Sequence, residues 1–252
     1  MPMRVVFLGT TGYHPSPRRH TLAVLLPEQG VLLDAGTGVF RLPRYLQTQE
    51  LDILLSHAHL DHVVGLTFFL GMVHRHPLAA IRVHGEAAKL QAVEEHLFSE
   101  LLFPVRPPLE MCPLPPGELA LPGEGRACWF PLEHPGGSVG YCLRWPGASL
   151  AYVTDTTARA DAPYLEAIRG VDLLIHECYF PDHQAELARR TGHSCTSDVA
   201  HLAARAQVGQ LVLVHMDPSA EAEDPIDLPR AQSIFPHTQL ACDEMELCFG
   251  TG

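Results

Sequence analysis

The stretch that most restricts this chain is LLSHAHLDHVVGL, residues 54–66. Three histidines and an aspartate fall within the six positions 57–62, directly behind an apolar run. The segment LDILLSH (51–57) is an almost continuous apolar run up to Leu55, as in a strand buried on both faces. Alternate residues of an extended segment face the same side, so His57 and His59 can point together. Asp61 and His62 then fall at the entry of a helix expected over about 63–73, where a carboxylate also suits the positive end of the helix dipole. Without partners, each of these polar side chains would cost on the order of a few kcal/mol of desolvation beside a buried strand. A metal ion is the partner that this mixture of imidazole and carboxylate fits.

Further donors stand where other apolar runs end: His134 in FPLEHPGGSVGY, Asp155 in LAYVTDTT and His215 in LVLVHMDP. Five histidines and two aspartates exceed what one tetrahedral ion takes and suit two divalent ions with one carboxylate bridging. Nitrogen and oxygen donors without thiolate favour zinc, with manganese or iron as alternatives. The seven cysteines are scattered and include no C-x-x-C pair, so they read as free thiols.

Around these donors the pattern is α/β. RVVFLGT (4–10), HTLAVLLP (20–27), GVLLDAG (30–36) and AIRVHG (80–85) are expected strands between Gly and Pro turns, and residues 85–102 an expected helix. The Pro- and Gly-rich stretch that follows, to about residue 125, is expected as loop and short strand. ACWFPLEH, VGYCLRW and SLAYVTDT read as strands. DAPYLEAIRG (161–170) is expected as a helix, VDLLIHE (171–177) as a strand, SDVAHLAARAQVG (197–209) as a helix and QLVLVH (210–215) as a strand. A β-rich half and an α/β half predict two sheets packed face to face with helices outside, in one domain over 1–252.

The order HxHxDH, then His, Asp and His, with LLDAGTG upstream, resembles the metallo-β-lactamase-fold hydrolases across nearly the whole chain. The resemblance implies an αββα sandwich, with His57, His59 and His134 on one ion, Asp61, His62 and His215 on the other, and Asp155 bridging. It implies that Asp34 braces the histidine-rich loop. HECYF (176–180) and TGHSCTSDVAHLAARA (191–206) are similar to the branch containing ribonuclease Z and the cyclic-phosphate phosphodiesterases. There, His193 would transfer protons, Glu177 would orient it, and Asp61 would also direct the attacking water. If His193 were merely a loop residue, Thr196 or Ser197 would cap the helix behind it. Arg19, in HPSPRRH, matches an arginine of that branch but serves equally as a surface residue.

Composition separates the possible substrates. Net charge is −12, Lys89 is the sole lysine, and no basic run exceeds PRRH, so the electrostatic footprint of a nucleic-acid binder is missing. Only 20 residues separate His134 from Asp155, room for a hairpin but not for the protruding basic arm of long tRNA processors. A small or cyclic phosphodiester is the expected substrate. The alternatives are a tRNA 3′-processing endoribonuclease, a carboxyl-ester or thioester hydrolase of lactonase or glyoxalase II type, and a binding module with a vestigial site. No apolar run reaches the ~20 residues of a membrane span, and no signal peptide is evident. A cytoplasmic enzyme is expected, and the resemblance allows a homodimer.

Overall fold

A computed structural model describes residues 2–251. The chain divides into two compact units, one comprising Arg4–Gly123 with Cys242–Leu247 and the other built on Glu124–Ala241. In the first sheet, β1 (Met3–Gly9), β2 (Ala23–Leu26), β3 (Val31–Leu33), β4 (Glu50–Leu54), β5 (Ala80–Gly85) and β6 (Glu110–Pro113) lie side by side in chain order. The second sheet likewise runs in chain order through β7 (Glu118–Leu121), β8 (Gly125–Leu132), β9 (Ser138–Trp145), β10 (Ala148–Val153), β11 (Leu173–Glu177), β12 (Gln210–Val214) and β13 (Thr238–Leu240). A last strand, β14 (Glu246–Phe249), flanks β1.

Each sheet switches from antiparallel to parallel pairing partway across, and the parallel part positions the donors. In the first, β3, β4 and β5 are parallel with Leu33 opposite Leu54 and Leu54 opposite His84. Asp34 and the histidine-rich loop therefore leave the same edge. In the second, β10, β11 and β12 are parallel with Val153 opposite His176 and His176 opposite Leu213. Asp155, Glu177 and His215 thus emerge together at the carboxyl ends of neighbouring strands, where open α/β sheets place their ligands.

The helices are α1 (Leu60–Val63), α2 (Phe69–Arg75), α3 (Ala87–Ala92), α4 (Ala185–Thr191), α5 (Thr196–Ala206) and α6 (Leu228–Ile234). In the first unit, Leu51 and Ile53 of β4 share a buried cluster with Val63, Leu66 and Phe69. In the second, Val153, Leu174 and Leu213 share one with Val199, Leu202 and Ala203 of α5. Burial of each such side chain contributes roughly 1.5–3 kcal/mol, so the edges carrying the donors stand on strands anchored in the core.

Three helical expectations are corrected. The segment 63–73 is not one helix: α1 gives way to a 3-10 turn, Val64–Phe68, before α2. Gly65 donates its N–H to Ala35 O at 2.8 Å instead of back along the helix, and Ala35 N–H bonds His62 O at 2.8 Å. A Cβ on Gly65 would lie 2.3 Å from Gly36 O, so only glycine allows this clasp. The helix expected over 85–102 ends early, as α3 widens into a π-turn over Val93–Leu97 and Phe98 turns into the core. Residues 161–170 form successive turns, with Ala162, Leu165, Ala167 and Arg169 each bonding three residues back. Buried Tyr164, held to His176 Nε2 at 3.1 Å, draws that segment inward.

The first sheet also carries a buried ion pair away from the donors. Asp52 of β4 accepts bonds from His84 Nε2 at 2.8 Å and Arg82 Nε at 2.9 Å. Burial raises the Asp52 pKa, but the His84 and Arg82 bonds outweigh it and hold the carboxyl below the ordinary value. A carboxylate depressed on folding stabilises the fold above its unfolded pKa of about 3.9 and loses that effect as pH falls through the folded value. Asp52→Asn should therefore be less stable than wild type at pH 7, with the gap shrinking at pH 3.5. Urea titrations at both pH values check this, and a gap independent of pH would refute it.

Candidate metal centre

In the first unit the histidine-rich loop closes on itself. The ring of His57 lies 4.4 Å from that of His59 and 4.3 Å from that of His62. Asp61 Oδ2 stands 3.3 Å from His62 Nε2. The loop is tied down by Asp34, fully buried at the end of β3 with φ +55°. Asp34 accepts from Ser56 N–H at 2.7 Å, Ser56 Oγ at 2.7 Å and His62 Nδ1 at 2.8 Å. Because the Ser56 hydroxyl spends its proton on Asp34, the 2.9 Å contact with His57 must be donated by His57 Nδ1. Both buried imidazoles thus carry their proton on Nδ1 and present a lone pair at Nε2, the tautomer a metal requires.

In the second unit Asp155 leaves β10 in the left-handed region, φ +52°, and His215 leaves β12 likewise at φ +60°. Backbone held this way costs of order 1–3 kcal/mol per residue and concentrates at functional sites. Asp155 Oδ1 lies 3.5 Å from His134 Nε2, and its Oδ2 lies 3.4 Å from His215 Nε2. His134 donates from Nδ1 to Gly192 O at 3.1 Å, which turns Nε2 toward Asp155. One donor atom from each of Asp155, His193 and His215 can be chosen so that all three lie within 4.8 Å of one another.

His193 is the best-supported side chain in this group. Its Nδ1 donates to Glu177 Oε1 at 3.1 Å. Glu177, fully buried at the end of β11, also accepts from Thr156 N–H at 3.0 Å and Ser194 N–H at 3.3 Å. Tyr179 stacks on the His193 ring, centroids 4.6 Å apart and planes at 24°. Neither Thr196 nor Ser197 caps α5. The cap position is Cys195, Thr196 Oγ bonds Phe180 O, and Ser197 bonds Asp182. Arg19 turns to Thr10 Oγ1 at 2.8 Å, so it braces its own loop.

The seven donors expected from the sequence therefore fall in two groups, His57, His59, Asp61 and His62 in one unit and His134, Asp155 and His215 in the other, with His193 beside the second. The sequence reading missed Ser56, Thr156, Ser194 and Tyr179, because small hydroxyl residues and a tyrosine beside a motif carry no periodic or spacing signal. The donor chemistry fits divalent metal: imidazole nitrogen with carboxylate oxygen, tautomers fixed from behind. Among the described residues no cysteine joins these groups. Burial pushes the Cys178 thiol well up and the Cys195 thiol to about 12, so both stay protonated.

Residues 29–216 match the β-lactamase superfamily domain. A ribonuclease Z of Bradyrhizobium sp. (strain ORS 278) is 30% identical over 300 aligned positions, taking in 95% of this chain and 97% of the relative. Since 95% of 252 residues is about 239, roughly sixty of those positions have no counterpart here. Among solved structures, the metallo-β-lactamase fold protein YhfI from Bacillus subtilis superposes with a TM-score of 0.81 at 20% identity, covering 98% of this chain and all of that one. A diphosphatase of the PhnP family superposes with a TM-score of 0.73 at 20% identity over the full length of both. These two likenesses show the fold. With the family match, the ribonuclease Z relative and the two donor groups together, the chain belongs to the β-lactamase superfamily, as a metal-dependent hydrolase of metallo-β-lactamase fold in the ribonuclease Z-like branch.

Proposed function

We propose that this protein is a phosphodiesterase acting on a small or cyclic phosphodiester, with two divalent cations, zinc foremost, shared by the two donor groups. His57, His59 and His134 would hold one, Asp61, His62 and His215 the other, and Asp155 both. Bound there, the cations would supply Lewis-acid activation of water near neutral pH and neutralise charge on the phosphate. Asp61 adds a carboxylate that orients the attacking water. The chain's own contribution to bond breaking is His193: with Nδ1–H committed to the Glu177 carboxylate, the ring acts as acid in its imidazolium form, which carries a second proton at Nε2 for the departing oxygen. A placed acid of this kind contributes about 10²–10⁴ in rate.

The observation that carries the reading is this buried Glu177–His193 pair beside Asp155 and His215. Hydrolysis of lactones or thioesters does not call for it. Three features favour a small substrate over the RNA named for the relative. β9 and β10 are joined through Pro146 and Gly147 alone, filling the interval from His134 to Asp155 as a tight hairpin. About sixty aligned positions of the relative are missing. Net charge is −12, whereas phosphate-backbone binding rests on neutralisation by Lys and Arg.

The test is to strip the protein with a chelator, reconstitute it with zinc or manganese, and count ions per chain by elemental analysis. Activity is then followed on bis(p-nitrophenyl) phosphate, a 2′,3′-cyclic nucleotide, a precursor tRNA, a lactone and a thioester. Two ions per chain and metal-dependent turnover of the first two substrates are expected. Preference for precursor tRNA would transfer the assignment to RNA processing, and turnover of only the carbonyl compounds would overturn the phosphodiesterase reading.

A further inference from the structure

Resting on the phosphodiesterase reading, we infer that Tyr13 and Leu60 form a subsite for a flat aromatic group attached to the substrate phosphate. Both are large apolar side chains left in solvent, Tyr13 at 75% and Leu60 at 69% exposure. Exposed apolar residues scattered singly need no explanation, but these two flank one functional carboxylate. Leu60 stands between His59 and Asp61 in the chain. Tyr13 donates its backbone N–H to Asp61 Oδ2 at 2.7 Å.

The backbone at Tyr13 shows that this placement is imposed. Its φ is +58°, a region where a bulky non-glycine residue is an outlier, and glycine would hold that turn without strain. The chain nevertheless puts an aromatic ring there, at a point fixed to Asp61. The following residues stiffen the loop: Ser16 N–H bonds Arg19 O at 2.8 Å, and Arg19 N–H bonds Ser16 Oγ at 3.2 Å. An exposed ring on a strained turn anchored to the Asp61 carboxylate would serve as a stacking surface for a nucleobase or a simple aryl group on a phosphate bound there. Such stacking is tolerant of base identity because every base has a π-face.

The test compares wild type, Tyr13→Gly and Tyr13→Phe, all zinc-loaded, on adenosine 2′,3′-cyclic phosphate and glycerol 1,2-cyclic phosphate. Glycine suits the turn, so the variant removes the ring without adding strain. The adenosine-over-glycerol ratio of kcat/KM should fall about 10-fold in Tyr13→Gly, the size of one base–aromatic stack, and persist in Tyr13→Phe. Calorimetric titration with AMP and glycerol phosphate reads the same selectivity without turnover, so it decides the subsite even if wild type hydrolyses no phosphodiester. An unchanged ratio in both measurements overturns the subsite. A drop for p-nitrophenyl phosphate but not for AMP keeps it and identifies a simple aryl group as its occupant.

Discussion

Replacing His193 with alanine is expected to lower kcat on an alkyl phosphodiester or a 2′,3′-cyclic nucleotide by about 10²–10⁴-fold. The loss on bis(p-nitrophenyl) phosphate should be smaller, since p-nitrophenolate departs readily without a proton. That contrast separates an acid from a residue that merely shapes the site. Glu177→Gln should fall between. The amide keeps a single acceptor oxygen, which can still serve Thr156 N–H and the imidazole on one side, but its NH2 then faces Ser194 N–H and the charge-assisted bond to His193 is lost. His193 also lies within reach of Asp155 and His215, so metal content must be measured alongside rate. Full occupancy with the rate loss confined to poor leaving groups is the expected result. Equal losses on both substrate classes, or loss of an ion, would remove His193 from the acid role.

How far the sequence could be read depends on how local each determinant is. The histidine-rich loop was legible because an apolar run ending in HxHxDH is a contiguous pattern, and the same holds for the strand ends at Asp155 and His215. The breaks in helices were not. The kink at Gly65 arises from a bond to Ala35, thirty residues earlier, and the turns over 161–170 from a tyrosine drawn to His176. Helical periodicity is present in both segments, but a distant partner overrides it. Support for the site was hidden for the same reason. Ser56 matters because Asp34 comes from another strand, and Ser194 because Glu177 does. The donors, with Asp34 and Glu177 behind them, are written in the chain as motifs, whereas the hydroxyl and backbone groups that complete their support depend on which distant segments the fold brings together.

Asp34→Ala should accordingly be the most damaging substitution outside the donors themselves. Asp34 is fully buried and accepts three bonds. Its removal leaves Ser56 N–H, Ser56 Oγ and His62 Nδ1 without that acceptor, and buried unsatisfied groups cost about 1–3 kcal/mol each. Alanine at φ +55° adds strain that aspartate and asparagine tolerate better. The metal-free protein should therefore melt at a markedly lower temperature. Zinc affinity, read by competition with a chromogenic chelator, should fall about 10–100-fold, as when a partner behind a metal-bound histidine is lost. Asp34→Asn is the informative companion, because it keeps the turn and the volume but exchanges one acceptor for a donor. If Asn restores the melting temperature while zinc affinity stays low, the carboxylate acts by fixing the tautomer of His62 and, through Ser56, of His57. If affinity recovers with the melting temperature, Asp34 only holds the loop in place and its charge is irrelevant to the metal.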